Sequence, residues 1–199
     1  MCIDRRWRRM AGISMIELIF FIVIVSVAVA GVLSVLNVTV KSSADPQQRK
    51  QALAIAEALL EEVEMMPFTF CDPDDPNAAT AASSNNCTGG AGGANDQGTL
   101  PLGPQAGEVR GNLATPYDNV ADYNGFTIAG GGTDIGGGVT VPAGYSARVA
   151  VVQEAYGPAA AQVPAAAALR IKVTVSYNGG ADSIALEGYR TRYAPNFTP

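Results

Sequence analysis

Between Leu18 and Leu36 the chain reads LIFFIVIVSVAVAGVLSVL, and only Ser26, Gly31 and Ser34 interrupt a wholly apolar run. As a helix rising about 1.5 Å per residue it spans roughly 28 Å, close to the hydrocarbon thickness of a bilayer. Directly before the run stands a single carboxylate, Glu17. A charge at the edge of such a segment costs on the order of 1–3 kcal/mol unless it meets a partner. The sequence therefore demands a compensating group.

Four of the thirteen basic residues, Arg5, Arg6, Arg8 and Arg9, precede the run, against one acid, Asp4. That asymmetry predicts a cytoplasmic N-terminus, with everything after Leu36 across the membrane. The rest of the chain is acidic and the whole carries a net charge of −5, which argues against nucleic acid as a partner. The 199 residues contain no histidine, which excludes Ser–His–Asp and Cys–His catalysis and histidine-rich metal sites. Cys2 lies in the basic leader, while Cys71 and Cys87 lie in the exported part. An even pair in an oxidising compartment is expected to form one disulfide; the alternative is two unpaired thiols.

After the apolar run, NVTVKSSADP is a polar junction. Asp45 before Pro46 reads as a helix N-cap with proline at the first helical position; the alternative is a kink at Pro46 within one longer helix. In either case QQRKQALAIAEALLEEVEMM is helical, with Leu53, Ala56, Leu60 and Val63 recurring at three and four, and Pro67 ends it. From Phe68 to about Gly144 the chain is rich in Gly, Asn, Asp and Pro, which predicts irregular surface loops, with short strands at 125–129 and 137–142.

The last third alternates. YSARVAVVQ places Tyr145, Ala147, Val149 and Val151 on one face, and LRIKVTVSY places Leu169, Ile171, Val173, Val175 and Tyr177 on one face. Both patterns predict half-buried strands of an antiparallel sheet. Asn178-Gly179-Gly180 supplies a turn, and DSIALEGYRTRY returns with a change of parity at Gly188, where a bulge is expected. The expected fold class is α+β, a long N-terminal helix laying an apolar stripe on a small antiparallel sheet.

A plain membrane anchor leaves Glu17 unexplained. A secretory signal peptide would be cut after Ala30 in AVAG, yet Val32, Leu33, Val35 and Leu36 continue the apolar run past that point. Gly12 followed by Ile13-Ser14-Met15-Ile16-Glu17 and an uninterrupted apolar helix resembles the class III signal of type IV pilins and of the pseudopilins of type II secretion. Ile13 stands where most relatives have Phe or Met, Ser14 where Thr is common, and Ser34 where a helix proline is often found.

The resemblance implies cleavage by a prepilin peptidase between Gly12 and Ile13, and methylation of the new N-terminus. It implies that Glu17 of one subunit meets the Ile13 amine of a neighbour, fixing axial register in a fibre. The SADP junction, the AIAEALLEE helix and the closing GYRTRY strand look like the minor pilins of mannose-sensitive haemagglutinin (MSHA) type pili. Minor pseudopilins share much of that layout. The expected organisation is a leader at 1–12, a transmembrane and filament-core helix at 13–36, an amphipathic continuation at 37–67 and a head at 68–199. Its partners would be other pilin subunits, the peptidase and an inner-membrane assembly platform. The chain would wait in the inner membrane and then pass into a surface fibre.

Other signals are weak. Asp72, Asp74 and Asp75 in CDPDDPN lack the EF-hand spacing and its distal Glu, so a solvated acidic loop is expected and no metal site is assigned. The glycine runs lack a following Lys-Ser/Thr, so they are not a phosphate loop, and no cofactor is expected. Tyr189 and Tyr193 beside Arg190 and Arg192 read as sheet-face packing or as a recognition patch. No paired carboxylates on expected strands suggest hydrolysis. The expectation is a non-enzymatic subunit.

Overall fold

A computed structural model describes residues 12–131 and 141–196, and within these the side chains of 38–45 are outside the description. The leader at 1–11 and most of the strand expected at 137–142 fall outside the described residues. The chain divides into two compact units, Met1–Pro46 and Gln47–Pro199.

The first unit is helical from Met15 onward. Helix α1 spans Met15–Met65 with Pro46 inside it, so of the two readings at Asp45 and Pro46 the structure has the single longer helix. An interior proline removes one helix hydrogen bond and its ring crowds the carbonyl four residues back, a strain that a helix can take up by bending without ending. The stretch Met15–Asn37 is long and apolar enough to cross a membrane, with a mean hydropathy of 3.0. None of it is buried within the protein.

The second unit is α+β. After α1 come β1 (Thr127–Ile128), β2 (Ser146–Gln153), β3 (Ala168–Tyr177) and β4 (Asp182–Thr191). They form one antiparallel meander in the order β1-β2-β3-β4. In β3, Leu169, Ile171, Val173, Val175 and Tyr177 are buried and the residues between them are half-exposed. In β2, Ala147, Val149 and Val151 are buried likewise. The period-two pattern of the sequence is thus the period of the sheet. Asn178 and Gly179 take positive φ, 54° and 67°, and close the β3–β4 turn.

Two expectations are corrected by packing. The helix buries Ala52, Ala56, Leu59 and Val63, whereas Leu53 is 36% exposed and Leu60 packs only at the margin of the core. The buried stripe is thus rotated toward the small side chains of Ala52 and Ala56. At Gly188 there is no bulge: β3 and β4 pair residue for residue from Ala168↔Thr191 to Tyr177↔Asp182. Gly188 instead lies under the helix, where an added Cβ would overlap the Glu64 carboxylate and approach Leu60 Cδ1 to 3.2 Å. The glycine is there for close approach, a need that β-periodicity does not distinguish from a bulge.

The region after Phe68 is more than surface loop. Thr69, Asp72, Asp75, Gln97, Asn119 and Asp122 are buried beside Phe68, Cys71, Val120, Ala121 and Tyr123. Hydrogen bonds replace apolar contact as the condition for burying such groups. A small separate cluster gathers Cys71, Ala78, Ala81 and Cys87 against Phe70.

Candidate functional site

Gly12, Ile13 and Ser14 precede the helix in non-helical backbone, and Ile13 is 74% exposed. The peptide bond expected to be cut therefore lies in exposed, non-helical chain. Ser14 begins the helix: its carbonyl accepts from the backbone N–H of Glu17 at 3.0 Å and of Leu18 at 3.1 Å, and its Oγ accepts from the Glu17 N–H at 3.3 Å. Ser14 with Glu17 three residues on has the spacing of a capping box, and the carboxylate stands in the first turn, at the positive end of the helix dipole. The S-x-x-E spacing, visible in the sequence, thus gives Glu17 a place at the helix start besides the role between subunits that the resemblance implies. Farther along, Ser26 is satisfied within the helix by donating to the Ile22 carbonyl at 2.7 Å.

Cys71 and Cys87 form a disulfide, closing a loop across a sequence separation of 16. Inside that loop the expected solvated acid patch is reorganised by hydrogen bonding. Asp75, 4% exposed, accepts from the backbone N–H groups of Asn77 (2.8 Å) and Thr88 (2.7 Å) and from Asn95 Nδ2 (3.0 Å). Burial opposes its charge, but those donors outweigh burial and hold the carboxyl below its ordinary range. Of the three acids, Asp74 alone is exposed.

Asp72 belongs to a larger set that the sequence did not reveal. Asp72, Asp74 and Asp118 bring carboxylate oxygens within 4.8 Å of one another, and so do Glu108, Asp118 and Asp122. Gln97 Nε2 donates to Asp122 Oδ1 at 2.6 Å, and the backbone N–H groups of Asp118 and Asn119 donate to Asp122 Oδ2 at 3.1 and 2.8 Å. Burial first, then neighbouring carboxylates, push Asp118 and Asp122 up to about 7. Burial, a hydrogen bond with Asp72 and the charge of Asp122 push Glu108 up to about 9. Such a set shares protons at neutral pH, and its oxygens are also the donor type of a hard cation. The residues come from three separate loop segments, so no spacing could announce them.

On the sheet, Tyr189 packs against Tyr156 with ring centroids 4.7 Å apart and the rings tilted by 37°. Tyr193 is 72% exposed, with the Arg190 guanidinium 4.9 Å from its ring. Arg192 lies over Phe68 and Phe70, at 3.9 and 4.3 Å. A cavity of about 420 Å³ opens beside Arg190, Phe68 and Met65.

Compared with known proteins, the sequence matches no family model, and no curated protein or solved structure matches it.

Proposed function

We propose that the chain is a minor subunit of an MSHA-type type IV pilus, non-enzymatic, with a part in fibre assembly and surface attachment. One observation carries the reading: Gly12-Ile13-Ser14-Met15-Ile16-Glu17 leads from exposed, non-helical chain directly into an unburied apolar helical stretch of 23 residues. A peptidase at the cytoplasmic face needs an accessible bond, and Gly12–Ile13 offers one. A helix whose apolar surface is uncovered by its own chain needs lipid before assembly and like helices after it. Once cut, the chain would present the Ile13 amine, and Glu17 four residues on would answer the amine of a neighbour, since a carboxylate held among apolar helices calls for an opposite charge.

The plain-anchor reading is favoured by a different observation: Glu17 stands in the first turn of the helix, where the helix dipole favours a carboxylate without any second subunit. The two readings separate in cells that assemble pili. The subunit reading expects the native chain in sheared surface fibres and the Glu17→Ala variant cut at Gly12 but retained in the membrane. Equal retention of native and variant chains in the membrane contradicts it.

A further inference from the structure

Strand β4 is the edge of the sheet and pairs only with β3 among the described strands. The Arg192 N–H donates to the Ala167 carbonyl at 2.9 Å, which fixes the phase of the ladder: even-numbered residues of β4 bond to β3. The N–H and C=O groups of Ser183, Ala185, Glu187 and Tyr189 therefore point outward, with no partner among the described residues. An open edge of this length is a template for another strand.

The edge also carries a cation that lies over the Tyr193 ring and has no carboxylate partner among the described residues. Arg190 lies opposite Leu169, hence on the inner face of the sheet, and its Nε is buried without an acceptor. It forms no ion pair among the described residues. At the other end of the same strand and on the same face stands Asp182, exposed, with Asn178 Nδ2 donating to it at 2.9 Å.

We propose that β4 pairs antiparallel with β4 of a second copy, in a two-fold register centred on Leu186. That register opposes the outward-facing positions to one another and sets Arg190 across from the partner's Asp182, twice. It places Ile184 across from the partner's Gly188, which has no side chain of its own to oppose it, and Glu187 across from the partner's Ala185. Neighbouring registers are worse. Centring on Glu187 opposes Glu187 to itself, and centring on Ala185 leaves Arg190 across from Gly180. Opposite charges directly across a pair of strands stabilise it and like charges do the reverse. The arrangement is isologous and closed, so it stops at two copies.

The pairing reverses more than the strand. Tyr145 donates to Gln51 Oε1 at 2.6 Å and stacks on Tyr177, the residue opposite Asp182, while Glu64 lies over Gly188. The helical segment 51–64 thus runs in the same sense as β4, and in the second copy it runs the opposite way. The contact joins copies that are not successive members of one polar fibre. It goes beyond the pilin reading and uses none of residues 12–17.

The test uses the full chain in detergent, with Cys2→Ser in every variant. Native protein is expected to be dimeric by light scattering, with Arg190→Asp and Asp182→Arg each weakening the dimer by about tenfold or more. The double variant Arg190→Asp/Asp182→Arg is expected to restore it, which a merely structural role for either residue would not do. Under oxidation, a mixture of Ala185→Cys and Glu187→Cys chains is expected to cross-link, and either alone is not. A monomeric native chain, a double variant that folds but stays monomeric, or cross-linking of either cysteine variant by itself overturns the proposal.

Discussion

Arg110 grips Glu62 with two nitrogens, Nε to Oε1 and Nη2 to Oε2, both at 2.6 Å. Tyr123 donates to the same Oε1 at 2.7 Å, and the Arg110 guanidinium lies 5.2 Å from the Phe126 ring centroid. One helix carboxylate thereby ties two loop segments to the helical layer. Removing the cation leaves a partly buried carboxylate short of donors, so Arg110→Met should cost about 1–3 kcal/mol, and Glu62→Gln, which keeps an acceptor for Tyr123, should cost less. Urea melts of the two variants check the order.

Stability should fall as pH rises from about 4 to above 7. Asp118, Asp122 and Glu108 have folded-state values raised above their ordinary ones, so the folded chain holds protons that the unfolded chain has released. Their contribution is complete below the ordinary carboxylate range and is lost as pH climbs through about 7 for the two aspartates and about 9 for Glu108. Glu62 and Asp75 are held low and act in the opposite sense, losing their contribution only in acid. The expected result is a higher Tm at pH 5.5 than at pH 8, with the difference reduced in Asp122→Asn. An unchanged difference in that variant would assign the slope to other groups.

What the sequence disclosed and what it hid follow from range. Alternation in Leu169–Tyr177 was legible because a strand's facing depends on nearest neighbours alone, and the apolar run from Leu18 was legible because length and composition define it. Gly188 was misread because a bulge and a helix pressing on a strand both call for a missing Cβ. The burial of Asp72, Gln97 and Asp122 was hidden because their partners lie 25 residues apart in sequence. A glycine- and asparagine-rich region can look like loose loop and yet be packed through hydrogen bonds.

Reducing the Cys71–Cys87 bond should cost more than a local loop would suggest. The bridge closes a separation of 16 residues, for which loop entropy gives about 3 kcal/mol, and it anchors the small cluster with Ala78 and Ala81. The Cys71→Ala/Cys87→Ala chain is expected to melt at lower temperature and to lose protection from proteolysis first within 71–97.

Two glycines should respond differently to the same change. At Gly188 the obstacle is the movable end of Glu64, so Gly188→Ala should cost less than about 1 kcal/mol and Gly188→Val about 1–3 kcal/mol. At Gly93 a Cβ would stand 2.7–2.9 Å from the backbone of Gly89 and Gly90, which cannot swing aside. Gly93→Ala should therefore be the more damaging alanine substitution, as denaturant midpoints would show.

The most direct measurement is the intact mass of the chain from membranes of a host with and without an active prepilin peptidase. The pilin reading expects a species that begins at a methylated Ile13, present only with the peptidase. A chain that begins at Gly31, or that keeps residues 1–12 whether or not the peptidase is active, contradicts it.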